Sequence, residues 1–225
     1  VIHQTYELWF KELIHELAAA QVALESDDTS RALAILGRIR TILKVCVAQI
    51  DILETMTPLQ FNAFRERLRQ ASGCQSAQFR EVDALLGRRD RAAARPLLPA
   101  DRARVEAWMD RRSLWDSVLM YVDREGYAIP PDMLNRDVTQ PYEANEAVQE
   151  ALIRMHRGDA AAALVCERLV DIDEGLQEWR YRHVKMVERT IGRKTGTGGS
   201  TGADYLRSTL FHPVFPDLWA IRSEF

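Results

Sequence analysis

The sequence predicts an all-α protein built as a bundle of long helices. Residues 2–24, 31–55 and 159–191 each carry apolar side chains at alternating steps of three and four, the spacing of one helical face. No segment keeps the alternation of apolar and polar residues that a half-buried strand requires. Glycine, proline and helix-capping residues separate the helical stretches. We therefore expect one helical-bundle domain that covers residues 1–225.

Length, composition and charge narrow the class of protein. A chain of 225 residues with 47% hydrophobic content can bury a core of its own. The net charge is −3 and the basic residues are scattered among acids, so no basic face is available for nucleic acid or an anionic membrane. No apolar run approaches the roughly 20 residues that cross a bilayer. We expect neither a nucleic-acid partner nor a membrane.

Cysteine usage indicates the redox setting. Cys46, Cys74 and Cys166 are far apart and lack the C-x-x-C spacing of a structural zinc site. Their odd number also argues against a disulfide framework. This pattern favours a reducing, cytoplasmic setting.

The first two helices have different surfaces. The first residues of the chain already follow the helical apolar spacing that continues to residue 24, and neither a start methionine nor a capping residue precedes them. We therefore expect the true N-terminus to lie upstream. The helix over 31–55 is apolar on more than one side. Such a helix must be buried on more than one side.

The third helix has a clear start signal. Thr57 and Gln60 form a capping box, and Pro58 occupies the first helical position. Residues 72–73, a serine and a glycine, break this helix, and a new helix is expected over 75–86.

The second half of the chain is divided by prolines and glycines. Residues 88–99 predict a surface connection with a short helical turn. Asp159 is a good N-cap for a long helix that Gly192 ends. Shorter helices are expected over 101–110, 113–124, 143–156, 203–209 and 216–222.

One histidine lies in the apolar stripe of the last long helix. His183 follows Leu176 and Trp179 at helical spacing, so its imidazole is predicted to point inward. An inward imidazole is either a core histidine satisfied by hydrogen bonds or a ligand for a metal or a heme iron. Spacing alone favours the core histidine.

A glycine-rich segment, residues 195–202 (TGTGGSTG), follows that helix. It lacks the third glycine and the preceding strand of a dinucleotide fingerprint, and no Walker A lysine follows. Exposed backbone N–H groups and small hydroxyls suit the binding of a carboxylate or an ammonium group. A mobile surface loop is an equally good interpretation.

Two more residues have a chemistry suited to an amino-acid ligand. Arg65 lies one helical turn after Phe61, so its guanidinium could clamp a carboxylate while the ring packs on an apolar ligand. Taken alone, Arg65 is more simply interpreted as a solvated arginine. The sequence pattern does not decide whether His3 is a surface, core or binding-site histidine. No H-E-x-x-H or G-x-S-x-G motif occurs. The remaining histidines are expected at the surface: His15, His156 and His212.

Six short motifs occur in register along nearly the whole chain. They are residues 3–9 (HQTYELW), 53–57 (LETMT), 61–65 (FNAFR), 72–76 (SGCQS), 179–183 (WRYRH) and 194–200 (KTGTGGS). Together they resemble the tryptophan 2,3-dioxygenase family. The resemblance implies long helices that enclose a heme pocket, usually in a cytoplasmic homotetramer. It implies insertion of both atoms of O2 across the indole C2–C3 bond of L-tryptophan, which gives N-formylkynurenine.

The resemblance also implies roles for the two histidines. His183 matches the axial ligand of heme b, and His3 matches the distal catalytic-site histidine that hydrogen-bonds the indole N–H. A proximal histidine leaves the sixth iron position open for O2. His3 need not be an obligatory base, because attack on an indole can proceed without removal of the N–H proton.

Further residues match the substrate and distal positions of the family. Arg65 matches the arginine that pairs with the substrate carboxylate, and Thr197 the threonine that holds the ammonium and carboxylate groups. Phe61 matches a substrate-contacting position that is tyrosine or phenylalanine in the family. Ser72 and Gly73 match the small residues beside the distal heme face. Binding of this kind contributes mainly orientation of the indole.

Cys74 departs from the family pattern, which usually has phenylalanine there. A smaller, softer side chain widens the distal pocket. This motivates a second hypothesis, a heme-dependent monooxygenase of the same superfamily that acts on a substituted tryptophan or another indole. A third is a non-enzymatic heme sensor. The presence of His3, Arg65 and Thr197 together argues against a sensor, which needs no amino-acid anchor.

Overall fold

The computed structural model describes residues 2–65, 76–192, 194 and 203–225, without the side chains at 204 and 205. Every regular element within these ranges is helical, which confirms the predicted fold class. No helix in this part of the chain is both long and apolar enough to cross a membrane. The helices are α1 Ile2–Glu25, α2 Thr29–Glu54, α3 Pro58–Arg65, α4 Ala77–Leu86, α5 Arg91–Ala94, α6 Pro99–Met109, α7 Leu114–Arg124, α8 Pro131–Leu134, α9 Glu146–Gly158, α10 Ala160–Ile191, α11 Ala203–Arg207 and α12 Pro216–Ala220, with a final 3-10 turn Ile221–Glu224.

The predicted helix signals act as expected at three helix ends. The Thr57 hydroxyl accepts a hydrogen bond from the Gln60 amide at 3.3 Å, and the Gln60 side chain accepts one from the Thr57 amide at 2.9 Å. Asp159 caps α10 by accepting from two backbone amides. Gly192 ends α10 with a φ of 62°, a left-handed conformation that favours glycine.

Other boundaries differ by a few residues. Asp28 caps α2, so this helix begins two residues before the predicted position 31. Ser76 caps α4 by accepting from the Phe79 amide at 3.1 Å, so the helix predicted from 75 begins at Ala77. In each case a side-chain cap sets the start of the helix.

The core forms where α1, α2 and α10 pack together. α1 and α2 run antiparallel, because Tyr6 meets Cys46 while Glu16 meets Arg38 at 2.6 Å. Buried residues on both α1 and α2 reach 0–1% exposure, as the apolar pattern predicts. They include Leu13, Leu17, Leu36 and Ile39.

α10 runs parallel to α2. Asp171 lies 3.4 Å from Arg40 near one end of the contact, and Arg182 lies 2.5 Å from Asp51 near the other. The residue numbers of both partners increase from the first ion pair to the second, so the two helices point in the same direction. This packing places the carboxyl-terminal half of α10 beside the end of α2 and the start of α3.

The inner face of α1 differs from the predicted stripe. The apolar spacing predicts an inward stripe that includes Ile2 and Trp9, with Phe10 on an adjacent face. In the structure Phe10 is 5% exposed, whereas Ile2 and Trp9 are half-buried. The shift arises because the Phe10 ring packs against Phe79 of α4 and Trp179 of α10. α1 therefore turns its aromatic side chains toward these two helices.

The connection over 88–99 contains the predicted short helix but is not wholly at the surface. Arg89 is 7% exposed and donates to the carbonyls of Val138, Ala84 and Arg111 at 2.7–2.8 Å. Burial lowers the pKa of this guanidinium to about 10. The expectation of a solvated connection is wrong at Arg89, because backbone carbonyls from three segments replace water around it.

The C-terminal segment folds back onto α10. The fully buried carboxylate of Asp173 accepts from the amides of Val214 at 2.8 Å and Phe215 at 3.1 Å, and from the Trp219 indole at 2.9 Å. These bonds fix the segment on the helix that carries His183.

Candidate active site

His183 lies in the last third of α10, on the predicted stripe, but the stripe opens toward its end. Leu169, Ile172 and Leu176 are 0–1% exposed, whereas Trp179 and His183 are half-buried. The buried part packs on α2. The imidazole is thus placed at the edge of the core.

The imidazole of His183 has few protein partners. Its ring centroid lies 5.2 Å from the Trp179 ring, with the planes tilted by 33°. It makes no hydrogen bond to any other residue in the part of the chain that the structure describes. Burial, together with the nearby charge of His3, lowers the pKa of His183 to about 4. The ring is therefore neutral at pH 7, and a neutral imidazole has a nitrogen lone pair for a ligand bond.

An aromatic cluster supports the neighbouring indole. Trp179 lies 4.8 Å from the Phe79 ring and 5.9 Å from the Phe10 ring, and Tyr6 lies 6.3 Å away with its edge toward the indole. These residues come from α1, α4 and α10. They form a rigid apolar wall on one side of His183.

Tyr6 connects this wall to α2. Its hydroxyl donates to the Cys46 carbonyl at 2.9 Å, and burial raises the pKa of Tyr6 above its usual value. The Cys46 thiol is also buried, which raises its pKa to about 12. Both groups are neutral at pH 7. Neither was predicted as part of the site, because the contact joins positions 40 residues apart in the sequence.

His3 lies in the first turn of α1 and is exposed. Its charge contributes to the lowered pKa of His183, so the structure brings the two imidazoles into the same region. The resemblance assigns both residues to one heme pocket. The helix pattern of either segment alone does not predict it.

Phe61 and Arg65 lie on α3, which packs against α10. Both are half-buried, and the Phe61 ring meets Phe64 edge-on at 5.4 Å. The capping box described above fixes the start of the helix. The structure thus places Phe61 and Arg65 on a helix beside the one that carries His183.

Four predicted site residues lie outside the described residues. Ser72, Gly73 and Cys74 fall within 66–75, and Thr197 falls within 195–202. Their roles stay predictions.

Two arginines that precede His183 on α10 form ion pairs that were not found from the sequence. Arg182 binds Asp51 at 2.5 Å and Glu54 at 3.1 Å, which joins α10 to the end of α2. Arg180 binds the buried Asp83 of α4 at 2.6 Å. Arginine, aspartate and glutamate occur at many positions in the chain, and these partners are far apart in the sequence. No sequence pattern therefore identifies which of them pair.

The other histidines separate into two groups. His15 and His212 are exposed, as predicted. His156 is not a surface residue: its side chain is 9% exposed, and Nδ1 lies 2.8 Å from the Leu152 carbonyl. Phe225 packs against the ring, because the C-terminus folds over α9.

No group of three or more histidine, cysteine, aspartate or glutamate side chains suited to a metal occurs among the described residues. A lone imidazole can hold a metal only if the remaining ligands come from elsewhere, as a macrocycle supplies them. Fold and site together define an all-helical protein with a neutral, inward histidine beside an aromatic wall.

Comparison with known proteins identifies the family. The family model described as tryptophan 2,3-dioxygenase matches residues 1–97 and 155–225. A tryptophan 2,3-dioxygenase of Anaeromyxobacter sp. (strain K) is 57% identical over 224 residues, which cover 99% of this chain and 84% of the relative. That of Herpetosiphon aurantiacus is 55% identical over 226 residues, 100% of this chain and 86% of the relative. That of Bordetella pertussis is 40% identical over 231 residues, which cover 100% of this chain and 81% of the relative. The chain belongs to the tryptophan 2,3-dioxygenase family.

Proposed function

We propose that this protein is a heme-dependent dioxygenase that opens the indole ring of L-tryptophan with O2 and releases N-formylkynurenine. The oxidation of tryptophan by a dioxygenase follows from family membership. The observation that carries the heme proposal is the placement of His183. It lies against an aromatic wall, within reach of the charge of His3, and makes no hydrogen bond to another described residue.

The residues present fit a heme. The imidazole of His183 would bind the iron, and the apolar aromatic wall around Trp179 would supply packing contacts to the macrocycle. Heme b, when bound, supplies an iron that activates O2. The protein contributes position, charge and exclusion of water.

Substrate binding is assigned to α3 and the glycine-rich segment. Arg65 would pair with the carboxylate of the amino acid, and Thr197 would hold its ammonium and carboxylate groups. Phe61 on α3 would pack on the indole. Charge pairing at one end and an apolar contact at the other would fix the orientation of the indole in the pocket.

His3 would accept a hydrogen bond from the indole N–H. Its charge acts on His183, which supports a place for His3 in the same pocket. Ser72, Gly73 and Cys74 would line the distal face, where small side chains leave room for O2 and the indole. The reaction balances without an external reductant, because the product carries both oxygen atoms and all the atoms of the substrate.

The other two hypotheses are less favoured. A monooxygenase of the superfamily would need support from relatives of that kind, whereas the relatives at 55–57% identity carry the dioxygenase name. A heme sensor has no use for a substrate-anchoring arginine. Cys74, which replaces the usual phenylalanine, is the residue that motivates the monooxygenase hypothesis, because a smaller side chain would widen the distal pocket.

We further propose a cytoplasmic homotetramer. The free, buried thiols of Cys46 and Cys166 support a reducing compartment. Leu8 on α1 and Ile52 on α2 are 68% and 55% exposed, which supports contacts with further copies of the chain. Native mass spectrometry should give four chains, and a monomer at micromolar concentration would contradict this assignment.

The reaction is tested by product analysis with labelled oxygen. The heme-loaded, reduced protein is mixed with L-tryptophan and ¹⁸O2, and the product mass is measured. Two labelled atoms in a ring-opened product are expected. One labelled atom would indicate the monooxygenase, and no turnover despite intact heme would indicate the sensor.

A further inference from the structure

Glu54, the last residue of α2, belongs to a motif that has no role in the proposed reaction. Residues 53–57 (LETMT) and 179–183 (WRYRH) are two of the six motifs that carry the family resemblance. In the structure Oε2 of Glu54 lies 3.1 Å from Nη2 of Arg182, which directly precedes His183 on α10. The two motifs therefore meet through an ion pair.

Glu54 also binds a second arginine of α10. The same carboxylate oxygen lies 3.3 Å from Nη1 of Arg189. Arg182 and Arg189 are seven residues apart, about two helical turns, so both lie on the face of α10 that meets the end of α2. Arg189 is the more exposed of the two arginines, so the ion pair with Arg182 is the stronger one.

Burial makes Glu54 the stronger of the two acids that bind Arg182. Asp51 lies 2.5 Å from Arg182, but its side chain is 66% exposed, whereas that of Glu54 is 18% exposed. Water competes with an exposed ion pair, so such a pair contributes little. Glu54 is therefore the acid that fixes Arg182 against the end of α2.

The connection from Glu54 to α3 is short and hydrogen-bonded. Three residues separate Glu54 from Pro58, the first residue of α3. The Met56 amide donates to the Leu53 carbonyl at 3.1 Å, and the capping box at Thr57 closes the start of α3. A displacement of the end of α2 is therefore transmitted to α3.

Packing alone holds α3 weakly. Its side chains, at residues 58–65, are at most half-buried, so the helix removes little apolar surface from water. The same helix carries Phe61 and Arg65 and lies against α10. Its position relative to His183 consequently depends on how its amino-terminal end is attached.

We propose that Glu54 is a positioning residue for the substrate anchor. Through Arg182 it ties the start of α3 to the helix that carries His183, and so sets the spacing between His183 and Arg65. This inference rests on the proposed function, in which Arg65 pairs with the substrate carboxylate. A single ligand must reach both the anchor and the ring pocket, so a displaced anchor weakens its binding.

Two ligands distinguish a displaced anchor from a damaged pocket. L-Tryptophan carries the carboxylate, whereas 3-methylindole has the ring without it. The Kd of each ligand for the heme-loaded protein is measured by equilibrium dialysis. Glu54→Gln removes the charge and keeps the size of the side chain. It should raise the Kd for L-tryptophan by roughly threefold to tenfold and leave heme content and the Kd for 3-methylindole unchanged.

Glu16→Gln is the matched control. Glu16 binds Arg38 at 2.6 Å, a glutamate–arginine pair that joins α1 to α2 far along both helices from the candidate site. This variant should keep both native Kd values, even where it lowers the Tm. If Glu54→Gln does not fold, Glu54→Asp keeps the charge and shortens the side chain by one methylene. It should show the same selective loss.

A double variant tests whether Glu54 acts through Arg182. Arg182→Gln should also raise the Kd for L-tryptophan. Because the two residues share one contact, the double variant should bind within about twofold of the weaker single variant. Fully multiplied losses would overturn the proposed route through Arg182.

Hydrogen exchange gives a readout that needs no substrate. The amides of residues 58–65 should exchange faster in heme-loaded Glu54→Gln than in the native protein or Glu16→Gln. Unchanged exchange, a native Kd for L-tryptophan in Glu54→Gln, or equal losses for both ligands would overturn this inference alone. Failure of the heme-loaded native protein to bind L-tryptophan would refute the proposed function, and this inference with it.

Discussion

The indole of Trp179 lies against the imidazole of His183, with ring centroids 5.2 Å apart and planes tilted by 33°. The two residues are four positions apart on α10, so they share one face of the helix. Trp179 is in turn fixed by Phe79 and Phe10. The wall therefore limits the orientations of the imidazole before any ligand binds, and such preorganisation would favour the proposed ligation of iron.

Substitution of Arg65 should weaken substrate binding and leave the heme in place. Loss of a charge-assisted hydrogen bond costs about 2–3 kcal/mol, or roughly 30- to 150-fold in binding. We expect Arg65→Ala to raise the KM for L-tryptophan by about this factor, with an unchanged heme spectrum. Arg31→Ala, at an exposed position on α2, is the control. An unchanged KM would remove Arg65 from the substrate site.

The proposed hydrogen bond from the indole N–H to His3 can be isolated by changing both partners. His3→Ala should lower kcat/KM for L-tryptophan by roughly tenfold without abolishing turnover. With 1-methyl-L-tryptophan, which lacks the N–H, the native protein and His3→Ala should react at similar rates. His15→Ala, an exposed histidine on the same helix, should behave as the native protein. An equal penalty with both substrates would exclude this hydrogen bond.

The fold depends on the attachment of the C-terminal segment to Asp173. Asp173→Ala leaves two amides and one indole N–H without their acceptor, which should lower the free energy of unfolding by about 3 kcal/mol. Urea denaturation measures the loss. Asp171→Ala removes ion pairs of a carboxylate that is 29% exposed and should cost under about 1 kcal/mol. Equal losses for the two variants would contradict the role of Asp173.

Cysteine reactivity should reflect burial. The pKa of Cys46 and that of Cys166 are each raised to about 12, because burial disfavours the thiolate. At pH 8 the reactive fraction is on the order of 10⁻⁴, and it rises only as the pH approaches the raised pKa. Iodoacetamide should therefore leave both thiols unmodified in the native protein at pH 8 and label both in guanidinium chloride. Stoichiometric labelling of the native protein, measured by peptide mass, would contradict their burial.

Local signals explain which parts of the fold were predictable. Asp159 and Gly192 act on their own helix, so both ends of α10 follow from nearby residues. The long helices likewise follow from apolar spacing. The third-helix start at Thr57 is equally local, since all of its partners lie within three residues.

Contacts between distant segments were not predictable. Arg89 is buried because it finds three backbone carbonyls, and every residue carries a carbonyl, so the sequence holds no specific signal. The bond from Tyr6 to the Cys46 carbonyl is of the same kind. For the candidate site, the resemblance assigned roles to His3 and His183, whereas periodicity alone left His183 undecided.

The central claim, that His183 holds the heme iron, is tested most directly by the heme content of His183→Ala. The variant is reconstituted beside His212→Ala, which alters an exposed histidine, and heme per chain and the absorption spectrum are measured. Far-ultraviolet circular dichroism confirms that both variants are folded. We predict one heme per chain in His212→Ala, and loss of stable heme and of the native spectrum in His183→Ala. A native heme content and spectrum in folded His183→Ala would contradict the assignment.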